Sequence, residues 1–481
     1  MTQLFGTDGI RGIVGEWPLV PEFFLKLGQS AGKVLKTQKN STIIIGRDTR
    51  QSGVMLQNAL CAGLLSSNMN IIDIGIIPTA AISWLVSSIK AEAGIVISAS
   101  HNPVQENGIK FFDRLGQKLA ENVEEEIEKY LLSEEFQPRP EGNLGRYTDG
   151  RSFHELYIQN LLKEQPSNFL SGLTIVIDCA HGAASYVAPD IFQRTGANIV
   201  ALNASPTGLN INFNAGSEYI RRAPEKFHAV IRQNEANFGL AFDGDADRVV
   251  FVDEDGTLID GDHMLGFLSR YLDQKGLLLE RSVVTTTMRN EGLKKFIETA
   301  GLRIYETPVG DKHVSEKLME LWNKNTEKGK FGLGGEQAGH IILLDEDHLT
   351  GDGLRTALFV LNAYVESKSN TLAEFAAGVG KTPQIIASAY IGNGERYNEQ
   401  ELQLMEKKAL EEHSELIRIN LRYSGTEPLF RIMLESDSSL NEDDLARIAI
   451  EISHNAQRFA QQLGGFIDIL NCARGGSIKI Q

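Results

Sequence analysis

The chain has 481 residues, of which 42% are hydrophobic and 23% charged, and it carries a net charge of −16. This length predicts several domains, and the composition excludes a disordered or fibrous chain. The acidic balance argues against a nucleic-acid partner but allows a small anionic substrate in a locally basic pocket.

Cysteine usage and hydropathy narrow the class further. Three distant cysteines without a Cys-x-x-Cys pair indicate neither a disulfide framework nor a structural zinc site. No segment approaches the roughly 18 apolar residues that a membrane-spanning helix needs. We therefore expect a cytoplasmic protein without a membrane partner.

Apolar runs of strand length alternate with helical patterns over most of the chain. Residues 42–45, 70–77 and 94–98 are predicted strands, and a helix is predicted from about Ser52. Strands that are apolar on both faces are typical of parallel sheets covered by helices, so we expect an α/β fold.

A strand that opens into a small or polar turn recurs along the chain. Residues 94–98, 173–177 and 282–286 are the three occurrences, spaced by about one small domain. They favour three related α/β domains, although any α/β chain contains similar strand–turn–helix segments.

The last part of the chain has a different pattern. Charged helical segments at 399–412 and 442–462 surround strands at 416–421 and 429–435, which predicts a smaller α+β domain. We expect domain boundaries that give residues 1–155, 156–256, 257–370 and 371–481.

Residues 97–103, Ile-Ser-Ala-Ser-His-Asn-Pro, follow one of the predicted strands. In open α/β sheets the carboxyl ends of the strands bind ligands, so Ser100 is a candidate nucleophile. The absence of a Gly-x-Ser-x-Gly sequence argues against a hydrolase elbow. His101 directly follows the serine, so its side chain need not face the hydroxyl, and a capped turn is the alternative.

Three carboxylates at alternate positions form the strongest local signal. Asp243, Asp245 and Asp247 follow an apolar strand and would repel one another without a cation between them. Such oxygen ligands suit Mg²⁺, Mn²⁺ or Ca²⁺. An EF-hand is excluded because Arg248 stands where its loop requires glycine, and a solvated acidic turn remains the alternative.

Two further loops carry polar side chains suited to a sugar phosphate. Residues 333–340 combine a glycine-rich turn with Glu336, which can hold sugar hydroxyl groups, and His340, which can move protons near neutral pH. Residues 422–428 place hydroxyl and backbone N–H groups beside Arg422, with Arg431 beyond, as in a phosphate-binding loop. A polar hairpin is the alternative for the second loop.

Together with residues 5–12, Phe-Gly-Thr-Asp-Gly-Ile-Arg-Gly, these four segments resemble the motifs of the α-D-phosphohexomutase superfamily. The resemblance covers essentially the whole chain, and it implies three related mixed-sheet α/β domains and a smaller C-terminal α+β domain around a central cleft. Gln337, within residues 335–340, makes it most similar to the branch that acts on amino sugars. It implies an isomerase that interconverts hexosamine phosphates through a phosphoserine and a hexosamine bisphosphate, which serves as activator and intermediate.

The resemblance also implies residue roles. Ser100 matches the phosphoserine, which completes the coordination of one Mg²⁺ per chain by Asp243, Asp245 and Asp247. The catalytic positions matched are Ser100, Lys110, His340, Arg11 and Arg248. The substrate-binding positions matched are Glu336, Lys312, Arg422, Ser424, Gly425, Thr426 and Arg431. The implied partner is a small sugar phosphate, and we expect a monomer or homodimer.

The chain departs from the superfamily pattern at three places. Ala338 stands where serine is usual, which removes one hydrogen bond to the sugar. Lys312 replaces arginine, which exchanges a bidentate fork for a point charge. Arg289 and Glu291 alter a turn that is usually apolar or small. We expect each departure on the sugar side of the site.

Other functions remain open from sequence alone. A phosphoglucomutase or phosphomannomutase would share every motif and differ in the 2-substituent that it accepts. A non-catalytic sugar-phosphate-binding protein would not need Ser100 and the three aspartates. A metal-dependent phosphatase would release inorganic phosphate.

Overall fold

The computed structural model describes residues 4–6, 8–38, 41–133, 143–392, 394–424 and 428–479. Four sheets, of six, five, four and four strands, define four units along the chain. The first three sheets mix parallel and antiparallel pairs, and the fourth is antiparallel. The prediction of three mixed α/β domains followed by a smaller α+β domain is confirmed.

The first unit has its strands in the order β1-β5-β4-β2-β3-β6. Its elements are β1 (Ile10–Ile13), α1 (Pro21–Leu35), β2 (Thr42–Arg47), α2 (Gln51–Ser66), β3 (Asn70–Ile76), α3 (Thr79–Ser88), β4 (Ala93–Ile97), β5 (Glu106–Phe112), α4 (Glu121–Leu132) and β6 (Tyr147–Asp149). All five residues of β4 are buried, as expected for a central strand with helices on both faces.

The second unit has the order β11-β10-β9-β7-β8. Its elements are α5 (Phe153–Lys163), β7 (Thr174–Asp178), a short 3₁₀ helix (Ala183–Tyr186), α6 (Ala188–Arg194), β8 (Asn198–Leu202), α7 (Gly216–Arg222), α8 (Pro224–Gln233), β9 (Phe238–Phe242), β10 (Val249–Asp253) and β11 (Leu258–Ile259).

The third unit has the order β13-β12-β14-β15. Its elements are α9 (Gly261–Gln274), β12 (Leu278–Thr286), α10 (Glu291–Thr299), β13 (Arg303–Thr307), α11 (Asp311–Lys324), β14 (Phe331–Gly335), β15 (Ile341–Leu344), α12 (Gly353–Ser367) and α13 (Leu372–Ala376). Asp260 begins α9 with a capping box, in which its side chain and that of His263 each bond the other's backbone N–H.

The C-terminal unit has the order β17-β18-β16-β19. Its elements are β16 (Gln384–Tyr390), α14 (Glu399–Glu412), β17 (Leu416–Tyr423), β18 (Leu429–Ser436), α15 (Glu442–Phe459) and β19 (Ile467–Asn471). The predicted helix at 399–412 is confirmed at both ends, and the second predicted helix ends three residues earlier than expected.

The first three units repeat one arrangement of strands. In each, three parallel strands stand in the order second, first, third, and an antiparallel strand follows the third: β3-β2-β4-β5, β8-β7-β9-β10 and β13-β12-β14-β15. The repeat predicted from sequence exists, but the alignment was wrong. Strand β4 corresponds to β9 and β14, whereas the sequence comparison had matched it to the first strands, β7 and β12.

The hydrophobic cores show which units belong together. One large cluster of buried residues runs from Ile44 to Val379 and joins the first three units. The main core of the C-terminal unit is a separate cluster that includes Ile385, Phe430 and Leu445. In the part of the chain that the structure describes, none of the helices has the length and apolar character needed to cross a bilayer.

Candidate active site

The candidate site is built from the same connection in each of the first three units. The connection from β4 to β5 carries Ser100, that from β9 to β10 carries the three aspartates, and that from β14 to β15 carries Glu336 and His340. The chain reverses direction at these points, so polar side chains gather at the carboxyl ends of buried strands. Within the first sheet, Ser100 follows β4. The chain continues from β2 to β3 on one side of this strand pair and from β4 to β5 on the other, and open α/β sheets bind ligands where the connections change direction in this way.

Ser100 is almost fully buried, with 1% of its surface exposed, and it has a left-handed backbone φ of 51°. Its hydroxyl donates to Asp243 Oδ2 at 2.6 Å. His101 Nδ1 also lies 3.3 Å from the same hydroxyl, so the histidine does face the serine. Burial and the nearby Arg248 lower the pKa of His101, which keeps its ring neutral.

A buried ion pair holds the Ser100 loop from beneath. Arg50, with no exposed surface, donates through Nη2 to the carbonyl oxygens of Ser100 at 3.1 Å and Asn102 at 2.8 Å. Its Nε donates to Asp48 at 3.0 Å, and Asp48 accepts the hydroxyl of Ser98 at 2.7 Å. These bonds stabilise the left-handed backbone at the serine.

The second unit closes over this loop. Asn212 Nδ2 donates to the carbonyl oxygen of Ser100 at 2.8 Å. Gly244, in the aspartate loop, packs so closely that a Cβ there would lie 2.5 Å from the same oxygen. The serine and the aspartates are therefore held in register by backbone contact.

Asp243, Asp245 and Asp247 are all buried, and one carboxylate oxygen of each lies within 4.8 Å of the others. Burial and the neighbouring Asp247 and Asp245 raise the pKa of Asp243 well above its ordinary value, so a cation bound between the carboxylates would stabilise the ionised form of this residue. Asp245 Oδ1 and Asp247 Oδ1 lack hydrogen-bond partners among the described residues. The residues therefore fit a hard divalent cation such as Mg²⁺.

Lys110 stands beside the aspartates, with its Nζ 3.0 Å from Asp245 and 3.3 Å from Asp247. It also lies 3.0 Å from Asp8, at the amino-terminal motif. Burial opposes the charge of this lysine, but the three carboxylates raise its pKa well above the ordinary value. Lys110 is thus a protonated group that faces the cation site.

Arg11, Arg248 and His340 surround the same point. Arg11 donates to the Ser100 loop at the carbonyl oxygen of Ala99, at 3.4 Å, and Arg248 pairs with Asp247 at 3.8 Å. His340 places Nδ1 3.7 Å from Asp247, and its Nε2 has no hydrogen-bond partner among the described residues. The ring needs Gly351 beside it, because a Cβ there would lie 2.1 Å from Nε2.

Glu336 and Lys312, the residues expected to bind the sugar, contact different parts of the molecule. Glu336 Oε1 accepts the backbone N–H of Gly310 at 3.2 Å, which brings the two loops of the third unit together. Lys312 forms a 3.4 Å ion pair with Glu124, a buried residue of the first unit. Its role as a substrate ligand stays a prediction, since its ammonium is engaged elsewhere in this structure.

Arg289 and Glu291, in the altered turn, form an ion pair with each other. The Arg289 side chain, 2% exposed, pairs with Glu291 at 2.7 Å and Glu306 at 2.6 Å. Both residues stand at the joint between the third and C-terminal units, where the backbone N–H of Glu291 donates to Glu435 at 2.6 Å. The altered turn therefore supports contact between the two units, and its place on the sugar side of the site stays a prediction.

The phosphate-binding loop predicted from sequence lies at one end of the hairpin formed by β17 and β18. Arg422 and Arg431 occupy directly opposed positions on the two strands, which makes this end of the hairpin positive. Ser424 follows β17 and is 6% exposed. Gly425 and Thr426 lie outside the described residues. After burial and Arg248, the positive charge of Arg431 makes a smaller contribution to lowering the pKa of His101.

The sequence identified most residues of this candidate site but not the ion pairs that hold them in place. Asp8 pairs with both Lys110 and Lys118, and Lys118 reaches Asp311 of the third unit at 2.6 Å. The buried Asp48–Arg50 pair was not predicted from sequence either. An ion pair placed directly after an apolar strand was the available signal, because such residues are buried only when they are paired.

Comparison with known proteins gives this arrangement a family. The α/β/α domains I, II and III of phosphoglucomutase/phosphomannomutase match residues 2–138, 155–256 and 260–381. The chain belongs to the phosphoglucomutase/phosphomannomutase family and is an enzyme of the phosphohexomutase class, an isomerase of carbohydrate metabolism.

Relatives that are similar in sequence have a more specific name than the family. The phosphoglucosamine mutase of Carboxydothermus hydrogenoformans is 44% identical over 92% of this chain and 97% of the relative. That of Moorella thermoacetica is 43% identical over 90% and 95%.

Solved structures share the fold at lower identity. A phosphoglucomutase/phosphomannomutase family protein from Burkholderia thailandensis has a TM-score of 0.73 at 21% identity and covers 97% of this chain and 100% of its own. The Aspergillus fumigatus N-acetylphosphoglucosamine mutase in complex with GlcNAc-6P and magnesium has a TM-score of 0.62 at 17% identity, with 96% of each chain covered.

Proposed function

We propose that this enzyme interconverts glucosamine 6-phosphate and glucosamine 1-phosphate through a phosphoserine at Ser100 and glucosamine 1,6-bisphosphate. The observation that carries the proposal is the position of Ser100, whose hydroxyl lies 2.6 Å from Asp243 within a buried trio of aspartates. Relatives 40–44% identical over nearly their whole length are phosphoglucosamine mutases, which supports the amino sugar.

The three aspartates would hold one Mg²⁺ together with an oxygen of the phosphorylated Ser100. When bound, this ion would draw electron density from the phosphoryl oxygens and neutralise charge in the transition state. Lys110, Arg11 and Arg248 add fixed positive charge on the sides that the aspartates leave open. Charge arranged before the reaction is the main means of stabilising a loose phosphoryl-transfer transition state.

The reaction has two transfers that use the same groups. In the first, the bond between phosphorus and Ser100 Oγ breaks, the sugar's free hydroxyl oxygen bonds to phosphorus, and a base accepts its proton. In the second, the bisphosphate, having turned in the site, returns its other phosphoryl group to Ser100. The sugar oxygen released then regains a proton, so atoms and charge balance over the cycle.

Two side chains are placed to move that proton. His340 Nε2 has no hydrogen-bond partner among the described residues, although Asp311 lies 3.7 Å away, and Lys110 Nζ lies 3.3 Å from Asp247, which is also 3.7 Å from His340 Nδ1. We assign both to proton transfer. Glu336 would hold sugar hydroxyl groups, and Arg422, Ser424 and Arg431 would hold the phosphate that does not react.

The substrate is tested by comparing kcat/KM for glucosamine 6-phosphate, glucose 1-phosphate and mannose 1-phosphate, each with Mg²⁺ and a trace of the matching bisphosphate. We expect a strong preference for the amino sugar. A preference for glucose or mannose phosphate would keep the mechanism and make the enzyme a phosphoglucomutase or phosphomannomutase. Release of inorganic phosphate in place of an isomer would indicate a phosphatase.

A further inference from the structure

Gln337 is a buried residue that the mechanism above does not use. It lies in the loop from β14 to β15, directly after Glu336, yet only 4% of its surface is exposed. Its amide Nε2 donates to Asp262 Oδ2 at 2.9 Å and to Gln384 Oε1 at 2.8 Å. The side chain therefore joins the sugar loop to two residues outside it.

Gln384 belongs to the C-terminal unit. It is the first residue of β16, which pairs along its length with β18, the strand that carries Arg431. The amide of Gln384 also donates to the carbonyl oxygen of Arg289 at 3.1 Å. A hydrogen bond from Gln337 thus connects the neighbour of the sugar carboxylate to the sheet that carries the phosphate-binding hairpin.

Asp262, which accepts a hydrogen bond from Gln337, also contacts the segment that links the third unit to the C-terminal unit. Lys381, in that linker, places its Nζ 2.7 Å from Asp262 and 2.7 Å from Asp260. Asp262 also accepts the backbone N–H of Asn290 at 3.0 Å. The neighbouring Thr382 donates its backbone N–H to Asn290 Oδ1 at 3.0 Å.

These polar contacts lie between two separate hydrophobic cores. The large hydrophobic cluster of the first three units reaches Val379, and the main cluster of the C-terminal unit starts at Ile385. Between them the contacts described here are hydrogen bonds and ion pairs, which have directional geometry and fix an orientation more narrowly than apolar packing does.

We propose that Gln337 is a positioning residue that sets the phosphate-binding hairpin of the C-terminal unit relative to Glu336. A sugar phosphate touches both groups when its ring is at Glu336 and its distal phosphate is at Arg422 and Arg431. Gln337 contributes to the reaction by setting the distance between Glu336 and the two arginines. The inference rests on the proposed phosphohexomutase activity but holds for any hexose phosphate.

The test measures phosphoryl transfer from phosphorylated enzyme to two acceptors, by following loss of phosphoserine with intact-protein mass spectrometry. Glucosamine 6-phosphate needs the C-terminal unit, whereas glucosamine without a phosphate does not. For Gln337→Met we expect kcat/KM with glucosamine 6-phosphate to fall by about tenfold, mainly through KM, because two hydrogen bonds are lost. Transfer to glucosamine should change by less than about twofold.

Gln384→Met removes the partner of the same bond and gives an independent variant if the first does not fold. The two effects should be less than additive in the double variant, because both substitutions remove the hydrogen bond that joins Gln337 to Gln384. Gln159→Met is the matched control and should behave as wild type, because the exposed Gln159 side chain donates to Glu155, one helical turn away, and to no residue of the site.

Equal losses with both acceptors, no loss with either, or additive effects in the double variant would overturn the role of Gln337. Absence of transfer from wild-type phosphoenzyme to any hexose phosphate would instead overturn the proposed function. The two failures are therefore distinct.

Discussion

Substitution of Arg50 tests whether this side chain positions the Ser100 loop. The guanidinium is fully buried and bonds the carbonyl oxygens of Ser100 and Asn102, together with those of Pro103 and Glu106 and the carboxylate of Asp48. Arg50→Met keeps much of the volume of the side chain and removes every one of these bonds. It also leaves Asp48 as an unpaired buried charge.

The expected loss of stability follows from those contacts. Breaking a buried ion pair by removing one partner costs about 3–5 kcal/mol. Unsatisfied carbonyl oxygens would add about 1–3 kcal/mol each, although water that enters the vacated space would satisfy some of them. We expect about 4–6 kcal/mol in total, and a fall in kcat of about 100-fold, because a displacement of about 1 Å at a reacting group has that effect.

The assay combines urea unfolding with turnover at saturating Mg²⁺. Arg50→Lys should lie between wild type and Arg50→Met, because an ammonium keeps the charge but not the fork. Arg151→Met, at an arginine with 73% of its side chain exposed, is the matched control and should change stability by less than about 0.5 kcal/mol. Wild-type turnover and stability in Arg50→Met would refute the claim that this ion pair positions Ser100.

Three other predictions concern single residues. Burial raises the pKa of Asp178 from 3.8 to about 6, so the fold favours its protonated form. That contribution to stability is full below pH 3.8 and is lost as the pH rises to about 6, a loss of about 3 kcal/mol. Asp178→Asn should remove this decline in urea titrations across that range, and an unchanged decline would contradict the assignment. Asp245→Asn should raise the Mg²⁺ concentration needed for half-maximal rate by more than about tenfold, and an unshifted titration would exclude the residue as a ligand. Gly351→Ala should lower kcat by about 100-fold without loss of folded protein, since the methyl group displaces His340, and normal turnover would remove His340 from the reaction.

The sequence was sufficient for the class of fold and for most of the site. Strand β4 is apolar throughout and β2 is apolar at its centre, and the helices of the C-terminal unit have charged outer faces, so local pattern determined their type. Ser100 and the three aspartates were identified because their residue types are unusual at the ends of apolar strands.

The rest depended on contacts between distant parts of the chain. Asp8, Lys118 and Asp311 are far apart in sequence, and only the packing of the first unit on the third brings them together. The contact of the Arg289 turn with the C-terminal unit was not predicted, because a charged turn can face a ligand, another domain or both, and local pattern does not distinguish these cases. The repeat was misaligned because parallel strands look alike until their pairing is known.

The central claim is that Ser100 carries the phosphoryl group between the two sugar oxygens. Enzyme labelled with ³²P should be mixed with glucosamine 6-phosphate and Mg²⁺, quenched over milliseconds to seconds, and analysed for labelled peptide and labelled sugar. We predict that label leaves the peptide containing Ser100 and enters glucosamine 1,6-bisphosphate at the rate of turnover, and that Ser100→Ala neither takes up label nor turns over. Label on another residue, label released as inorganic phosphate, or turnover retained in Ser100→Ala would contradict the account.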